Sequence, residues 1–430
     1  MRPLRVLHVN TSDQDGGAAR AAYRIHLAQR SIGIDSHMLV LQRREAAHHI
    51  WQPLSRVARA KYRAKRSLSA RLLARQSTPT NPVIHSLNWF SSGLGDWINR
   101  SEFDVVNLHW LGGEMLSIEE IGRISKPVCW TMHDMWPISG AEHYDDLEYP
   151  GRYRSEYTAG NRPAPYGGPD LDAWVWRRKR KAWARRPLHL VSPSRWLVRC
   201  ATESALMSEQ SCCVIPNCVD TDIFKPMDRG LARAILNLDA DKRYIMFGAT
   251  ASTSDLRKGF HLLQPALQGL AAVPGIASDT ELLVFGAQAP EHQSDLGLPV
   301  HYLGTFHDDL SLAVLYSAAD VFAAPSMQDN LPNTLVESLA CGTPCVAFSV
   351  GGMPDLVEPG VTGYLAEPGK PESFMLGLLE ALQQRPLQRE AARNKALRTY
   401  AAPSTAHSYK RLYESVFQCA LTNMRWPKRL

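Results

Sequence analysis

The chain has 430 residues, more than one hydrophobic core usually holds, so two domains are expected. Hydrophobic residues make up 45% of it, which argues against a disordered chain, and no apolar run approaches the roughly 18 residues of a membrane span. The net charge of +6 hides an asymmetry: residues 1–200 carry 30 Lys+Arg against 18 Asp+Glu, the remainder 18 against 24, so the basic half is expected to meet a distinct, anionic partner.

Met1-Arg2 leads straight into a strand pattern, LRVLHVN, without a signal-peptide core, and a cytoplasmic chain is expected. After this strand Gly16 and Gly17 permit close backbone approach, and the helix start that follows can face an anion; Arg20, one turn on, adds charge. SHMLVLQ reads as the next strand. The segment Arg43 to Arg75 then holds ten basic residues and only Glu45 as an acid. Its Ile50, Leu54, Val57, Leu68 and Leu72 fall near helical spacing, compatible with an amphipathic helix on an anionic membrane leaflet. A plain solvated face and nucleic acid are the competing readings.

Further strands follow at VVNLHWL and PVCWTMHD. His133, just past the second, can hydrogen-bond a ligand hydroxyl, and Asp134 either orients that imidazole or caps the next turn. Ala159 to Asp170 reads as a flexible loop, and Trp174 to Arg186, WVWRRKRKAWARR, is a second basic segment with interleaved aromatics. LHLVSPS and SCCVIPN complete a first series of strands alternating with helical stretches, the rhythm of parallel βαβ units. Asp220-Thr221-Asp222 spells a metal-binding D-x-D, but its context reads as a turn with capping aspartates. The eight cysteines form no zinc pattern and are read as reduced core thiols.

The strand rhythm restarts with YIMFGAT, ELLVFGA, VHYLGTF, VFAAPS, TPCVAFS and TGYLAE, so the chain reads as α/β with two Rossmann-like halves. Arg257 and Lys258, with Ser252 and Thr253 before them, follow the first of these strands and can stabilise a diphosphate. The densest segment is DNLPNTLVESLACG, Asp329 to Gly342. Pro332 and Asn333 open a helix with Thr334 in its first turn, leaving amides and a positive dipole end that suit a diphosphate. Asp329 before the helix and Glu337 inside it supply two acceptors for sugar hydroxyls. Gly351, Gly352 and the backbone of Asn330, Leu331, Pro332, Asn333, Thr334 and Leu335 complete the expected donor cradle.

The run Ala319 to Gly369 resembles the donor-binding signature of retaining family-4 glycosyltransferases, with the usual E-x7-E appearing as D-x7-E at Asp329 and Glu337. Resemblance extends to the Gly16-Gly17 loop, to His133-Asp134, to VSPSRW and to VIPNCVDTDIFKP, and is similar to the exopolysaccharide and colanic-acid type. It implies the GT-B fold: two Rossmann-like domains facing across a cleft and a C-terminal helix crossing back to the first. The implied boundaries are 1–223 for an acceptor domain, 224–403 for a nucleotide-sugar donor domain and 404–430 for the helix. It also implies catalytic roles for His133, Arg257, Lys258, Asp329 and Glu337, with Arg20 and Asp134 toward the acceptor. Retaining transfer from a nucleoside diphosphate sugar to a glycan or lipid-linked acceptor, without a metal or other cofactor, is the implied activity. Bacterial surface polysaccharide synthesis at the inner face of the membrane is the implied setting, and no nucleic-acid partner is expected. A GT-B nucleotide-sugar epimerase and a non-catalytic nucleotide-sugar-binding scaffold at the membrane are the alternatives.

Overall fold

The computed structural model describes residues 3–248, 255–286, 295–306, 308–383 and 386–422. Two units divide the chain: Met1–Pro216 with Thr405–Leu430, and Asn217–Ser404.

In the first unit β1 (Arg5–Ser12), β2 (Asp35–Gln42), β3 (Ile50–Trp51), β4 (Val105–Leu108), β5 (Val128–Thr131), β6 (His189–Ser192) and β7 (Ser211–Val214) form one parallel sheet. Its order is β3-β2-β1-β4-β5-β6-β7. In the second, β8 (Arg243–Gly248), β9 (Thr280–Phe285), β10 (Val300–Tyr302), β11 (Val321–Ala324), β12 (Cys345–Phe348) and β13 (Gly363–Ala366) form another, in the order β10-β9-β8-β11-β12-β13. The central strands are short and buried along their whole length, VVNL in β4 and CVAF in β12, as sheets covered on both faces require. Strand order reverses between β1 and β4, and again between β8 and β11. In open α/β sheets ligands collect beyond the carboxyl ends of strands at such points, so these two places are where chemistry belongs in each unit.

Val219 and Phe224 pack in the core of the second unit, where the Val219 amide donates to the Tyr400 carbonyl; the chain therefore changes units earlier than the VIPNCVDTDIFKP landmark suggests. At the other end, helix Ala402–Thr422 delivers Tyr409 and Tyr413 to the first unit. The Tyr409 hydroxyl lies 2.9 Å from the Thr131 hydroxyl, and the Asn107 amide donates to Tyr413 at 2.7 Å. Those bonds account for polar residues inside two buried strands.

The basic segments differ from expectation in instructive ways. Helix Arg56–Leu73 begins at its Ser55 cap, while Ile50 sits in β3 and Leu54 precedes the helix, so the apolar residues do not share one helical face. Leu54, Tyr62 and Leu72 pack on the core; Val57 and Leu68 point outward among seven cations with no acid. In the second segment, helix Leu171–Trp183 turns Trp176 and Trp183 into the core. Lys179 is fully buried, donating to the carbonyls of Trp136, Ser139 and Gly140, 3.8 Å above the Trp136 ring. Burial holds its ammonium well below the usual lysine range, and the three carbonyls and the ring face offset the missing water. Arg178 pairs with Glu119 at 2.7 Å and Arg180 with Glu156 at 3.1 Å, so several of this segment's cations are engaged within the unit itself. The loop Ala159 to Asp170 is pinned rather than free: Ser77 and Gly167 exchange two 3.0 Å backbone bonds, and the Tyr166 hydroxyl donates to Asp146 at 2.8 Å.

Candidate functional site

At the β8/β11 switch point the second unit gathers most of the predicted donor residues. Arg257 and Lys258 form a short 3-10 turn capped by Asp255, and Gly259 ends it at φ +72°. A Cβ on Gly259 would lie 1.9 Å from the Pro325 carbonyl oxygen, so only glycine lets the turn after β8 meet the loop after β11. The Met327 amide donates to the Arg257 carbonyl at 2.8 Å, and the Arg257 guanidinium to the Gln328 carbonyl at 2.8 Å. This stitching sets Lys258 Nζ 2.7 Å from Asp329 Oδ2, with Arg257 Nη1 at 3.8 Å. Burial pushes the Asp329 carboxyl up, but the two cations and the Asn330 amide outweigh it, leaving it below the usual aspartate range. Ser252 and Thr253 lie outside the described residues.

Asp329 is also held from behind. The Gly352 amide donates to its carbonyl at 3.0 Å, and a Cβ on Gly351, which sits at φ +55°, would fall 2.1 Å from that same oxygen. Pro332 caps helix Asn333–Ala340 as expected. Asn217 donates to the Asn333 side chain and the Leu331 carbonyl at 3.3 Å each, steadying the helix start. Pro332, Asn333 and Thr334 are half-buried and face outward in part, whereas Asn330, Leu331 and Leu335 are buried and contribute through backbone and packing. Glu337 is only 2% exposed and its Oε2 accepts from the Tyr316 hydroxyl at 2.8 Å, so its carboxylate is set inside the unit by a tyrosine that sequence reasoning passed over.

In the first unit the β1/β4 switch point carries the other predicted residues. Gly16 caps helix Gly17–Ser31 at φ +92° with nothing within 4 Å of a would-be Cβ, which leaves the backbone open to close approach. Gly17 is exposed and Arg20 half-buried beside it. The loop is braced by buried Asp13, which accepts from the amides of Arg44 and Glu45 at 2.9 and 2.8 Å. His133 stands beyond β5, its Nε2 3.0 Å from His109 Nδ1. Asp134 does not orient His133: it accepts from the Trp136 amide at 3.0 Å and from His143 at 2.6 Å, so it caps the turn and holds a different imidazole. His8 and His109, behind His133, were not singled out from sequence. The signal was there, since LRVLHV carries a histidine within a strand and VVNLHW and WTMHD each carry one just past a strand's carboxyl end.

The D-x-D carboxylate of Asp220 accepts from the amides of Asp222 and Ile223 at 2.9 and 3.3 Å, the geometry of a turn cap. No cluster of three or more His, Cys, Asp or Glu among the described residues has the geometry of a metal site.

Two family models match separate stretches of the chain. Residues 15–223 match the model of Glycosyltransferase Family 4, and residues 242–384 that of Glycosyl transferases group 1. Curated relatives include a D-inositol 3-phosphate glycosyltransferase of Geodermatophilus obscurus, 33% identical over 195 residues, which are 43% of this chain and 43% of that protein. One of the same name in Mycobacterium tuberculosis is 35% identical over 162 residues, 34% of this chain and 31% of the relative. The matched stretch thus spans less than half the length of these relatives. Among solved structures, sucrose-phosphate synthase from Thermosynechococcus elongatus superposes with a TM-score of 0.65 at 17% identity, covering 96% of this chain and all of that one. Anabaena HepE, crystallised with UDP-glucose, gives 0.61 at 17% identity with the same coverage. The chain therefore joins a Glycosyltransferase Family 4 segment to a Glycosyl transferases group 1 segment on the GT-B fold.

Proposed function

We propose that the protein is a retaining, metal-independent glycosyltransferase that moves a sugar from a nucleoside diphosphate to a glycan or lipid-linked acceptor in bacterial surface polysaccharide synthesis. The observation that carries this reading is the Lys258, Arg257 and Asp329 constellation, with Asp329 four residues before the start of helix Asn333–Ala340. Two cations and a helix N-terminus suit a leaving diphosphate, and Asp329 suits a sugar hydroxyl. The bond from the anomeric carbon to the diphosphate oxygen breaks as the acceptor oxygen bonds to the same face, and the acceptor proton passes to the departing diphosphate. Arg257, Lys258 and the helix dipole stabilise the charge that develops on that group. His133 contacts the donor sugar; Gly16 and Gly17 lie along the donor, with Arg20 and Asp134 toward the acceptor.

The names of the curated relatives, and UDP-glucose in the crystal of one structural neighbour, make UDP-hexoses the first donors to test. The outward cationic face of helix Arg56–Leu73 supports a location at the inner face of the cytoplasmic membrane, and a phosphate-bearing acceptor suits the basic first unit equally well. Among the described residues no helix is long and apolar enough to cross a membrane. The epimerase reading is disfavoured because Asp329 is engaged by Lys258, and the nearby Asp255 is engaged by Arg257 at 3.0 Å and in capping the turn. Incubation with a panel of nucleotide sugars and acceptors in EDTA, with the anomeric configuration of the product read by NMR, tests the proposal. Retained configuration supports it; hydrolysis alone, inversion or a metal requirement counts against it.

A further inference from the structure

We propose that Gln29, His109 and His8 form a one-directional hydrogen-bond relay that sets the tautomer of His133, leaving Nδ1 of His133 as an acceptor for a substrate hydroxyl. The inference rests on the reading of His133 as a substrate contact. On that reading, His133 Nδ1 accepts a hydrogen bond from the hydroxyl.

Direction is set by the Gln29 amide, whose nitrogen faces Tyr413 and whose oxygen faces His8. Asn107 Oδ1 accepts from the amide and hydroxyl of Thr131 at 3.3 and 3.0 Å, so its nitrogen is the atom that donates to the Tyr413 hydroxyl at 2.7 Å. The Gln29 nitrogen donates to the same hydroxyl at 3.1 Å, which turns Gln29 Oε1 toward His8 Nε2, 2.9 Å away. An amide oxygen only accepts, so His8 carries its proton on Nε2 and offers Nδ1 as a lone pair. His109 Nε2, at 2.8 Å, must then donate to His8 Nδ1. The same step repeats: His133 Nε2 donates to His109 Nδ1 at 3.0 Å, and the lone pair of His133 is left on Nδ1. The rings are arranged for this, with planes within 26° between His8 and His109 and within 20° between His109 and His133.

A relay of this kind works only if every ring is neutral, because a second proton on one ring removes an acceptor. His8 and Gln29 are fully buried and His109 is 2% exposed. Desolvation holds His8 and His133 down to about 4 and His109 well below its usual range. The groups facing the relay are His26 on helix Gly17–Ser31, Asp134 beyond β5, Cys129 on β5, and Tyr409 and Tyr413 on helix Ala402–Thr422. His26 and the neighbouring imidazoles reinforce the neutral state; Asp134 alone favours charge on His133. Among the described residues His133 Nδ1 has no hydrogen-bond partner, so the relay leaves one imidazole lone pair for a ligand.

The test is long-range proton–nitrogen NMR on histidine-labelled full-length protein at pH 7, alongside transfer kinetics. The wild type should show the Nε2–H tautomer at His8, His109 and His133. Gln29→Leu and His109→Phe should convert His133 to a tautomer mixture and lower kcat/KM about tenfold, the cost of one misdirected hydrogen bond. Gln29→Glu keeps an acceptor in place, so it should hold the wild-type tautomer while shifting the acidic limb of the pH profile upward, a movement that loss of packing alone would not produce. An Nδ1–H tautomer at His133 in the wild type overturns the inference, as does an unchanged tautomer and pH profile in Gln29→Leu and His109→Phe. Full transfer by His133→Ala would instead sink the substrate-contact reading while leaving the tautomer result standing.

Discussion

Lys258 Nζ lies 2.7 Å from Asp329 Oδ2, so the cation proposed to meet the diphosphate and the carboxylate proposed to meet the sugar pair with each other. The pair is carried by two loops at one switch point and locked by Gly259 against Pro325. On the proposed function, a diphosphate that drew Lys258 toward itself would release Asp329 for a sugar hydroxyl, so that one ion pair would sense both ends of the donor.

Lys258→Ala should lower kcat by about two orders of magnitude, the usual effect of losing one preorganised charge at a leaving group. Arg257, 3.8 Å from Asp329, remains to keep that carboxylate ionised, so the melting temperature should change little. Steady-state kinetics with the preferred nucleotide sugar, paired with a melting curve, checks both halves of the statement.

Gly259→Ala and Gly351→Ala should each cost about 2–3 kcal/mol, because a Cβ would lie 1.9 Å from the Pro325 oxygen or 2.1 Å from the Asp329 oxygen in a backbone that L-residues resist. Denaturant midpoints measure this. Donor affinity should fall in both variants, since each glycine supports the chain at Asp329; wild-type affinity in a destabilised variant would separate the glycines from the site.

Tyr316→Phe removes the hydroxyl that donates to Glu337 at 2.8 Å and should cost about 1–3 kcal/mol by stripping a donor from a buried carboxylate. Weaker nucleotide binding should accompany the loss if the sugar hydroxyl that Glu337 accepts from belongs to the nucleotide. Isothermal titration with the free nucleoside diphosphate reads that effect directly.

A cluster of acids in the first unit predicts an unusual pH response. Burial raises Glu142 to about 7, with Asp172 adding to it against the Tyr157 hydrogen bond, and burial likewise raises Asp145 to about 7 and Asp172 to about 6. A carboxyl raised above its unfolded value holds its proton more tightly when folded, so the stability it contributes is present at low pH and lost as pH rises through about 7. His8, His49 and His133, lowered to about 4 by burial, act oppositely below 6.5 and are silent above it. Glu142→Gln cannot ionise. Its advantage over the wild type should grow between pH 5 and pH 8 to about 2 kcal/mol, or about 4–8 °C in the first unit's melting temperature. A constant difference across that range would contradict the assignment.

Strand positions were legible because buried parallel strands write themselves as short apolar runs, and twelve named runs from LRVLHVN to TGYLAE coincide with β1, β2 and β4 through β13. The two-residue β3 carries too little pattern to be seen. The helix at Asn333 was legible because Pro332-Asn333 marks a helix start, and the resemblance drew Asp329 and Lys258 to one site, where they lie 2.7 Å apart. The destinations of Lys179 and Trp176 were not, since a basic run reads alike whether it faces water or caps buried carbonyls. Of the two roles read for Asp134, the turn cap is the one observed, and its second oxygen meets His143, a partner that adjacency in sequence does not suggest. Glu337 shows the same limit, as its Tyr316 partner comes from a different helix.

The most direct test is titration of UDP and UDP-hexoses into wild-type and Lys258→Ala protein in EDTA. The account predicts binding by the wild type without any metal and about a hundredfold weaker binding by Lys258→Ala. Binding that appears only with a divalent cation, or that is equal in the two proteins, would contradict it.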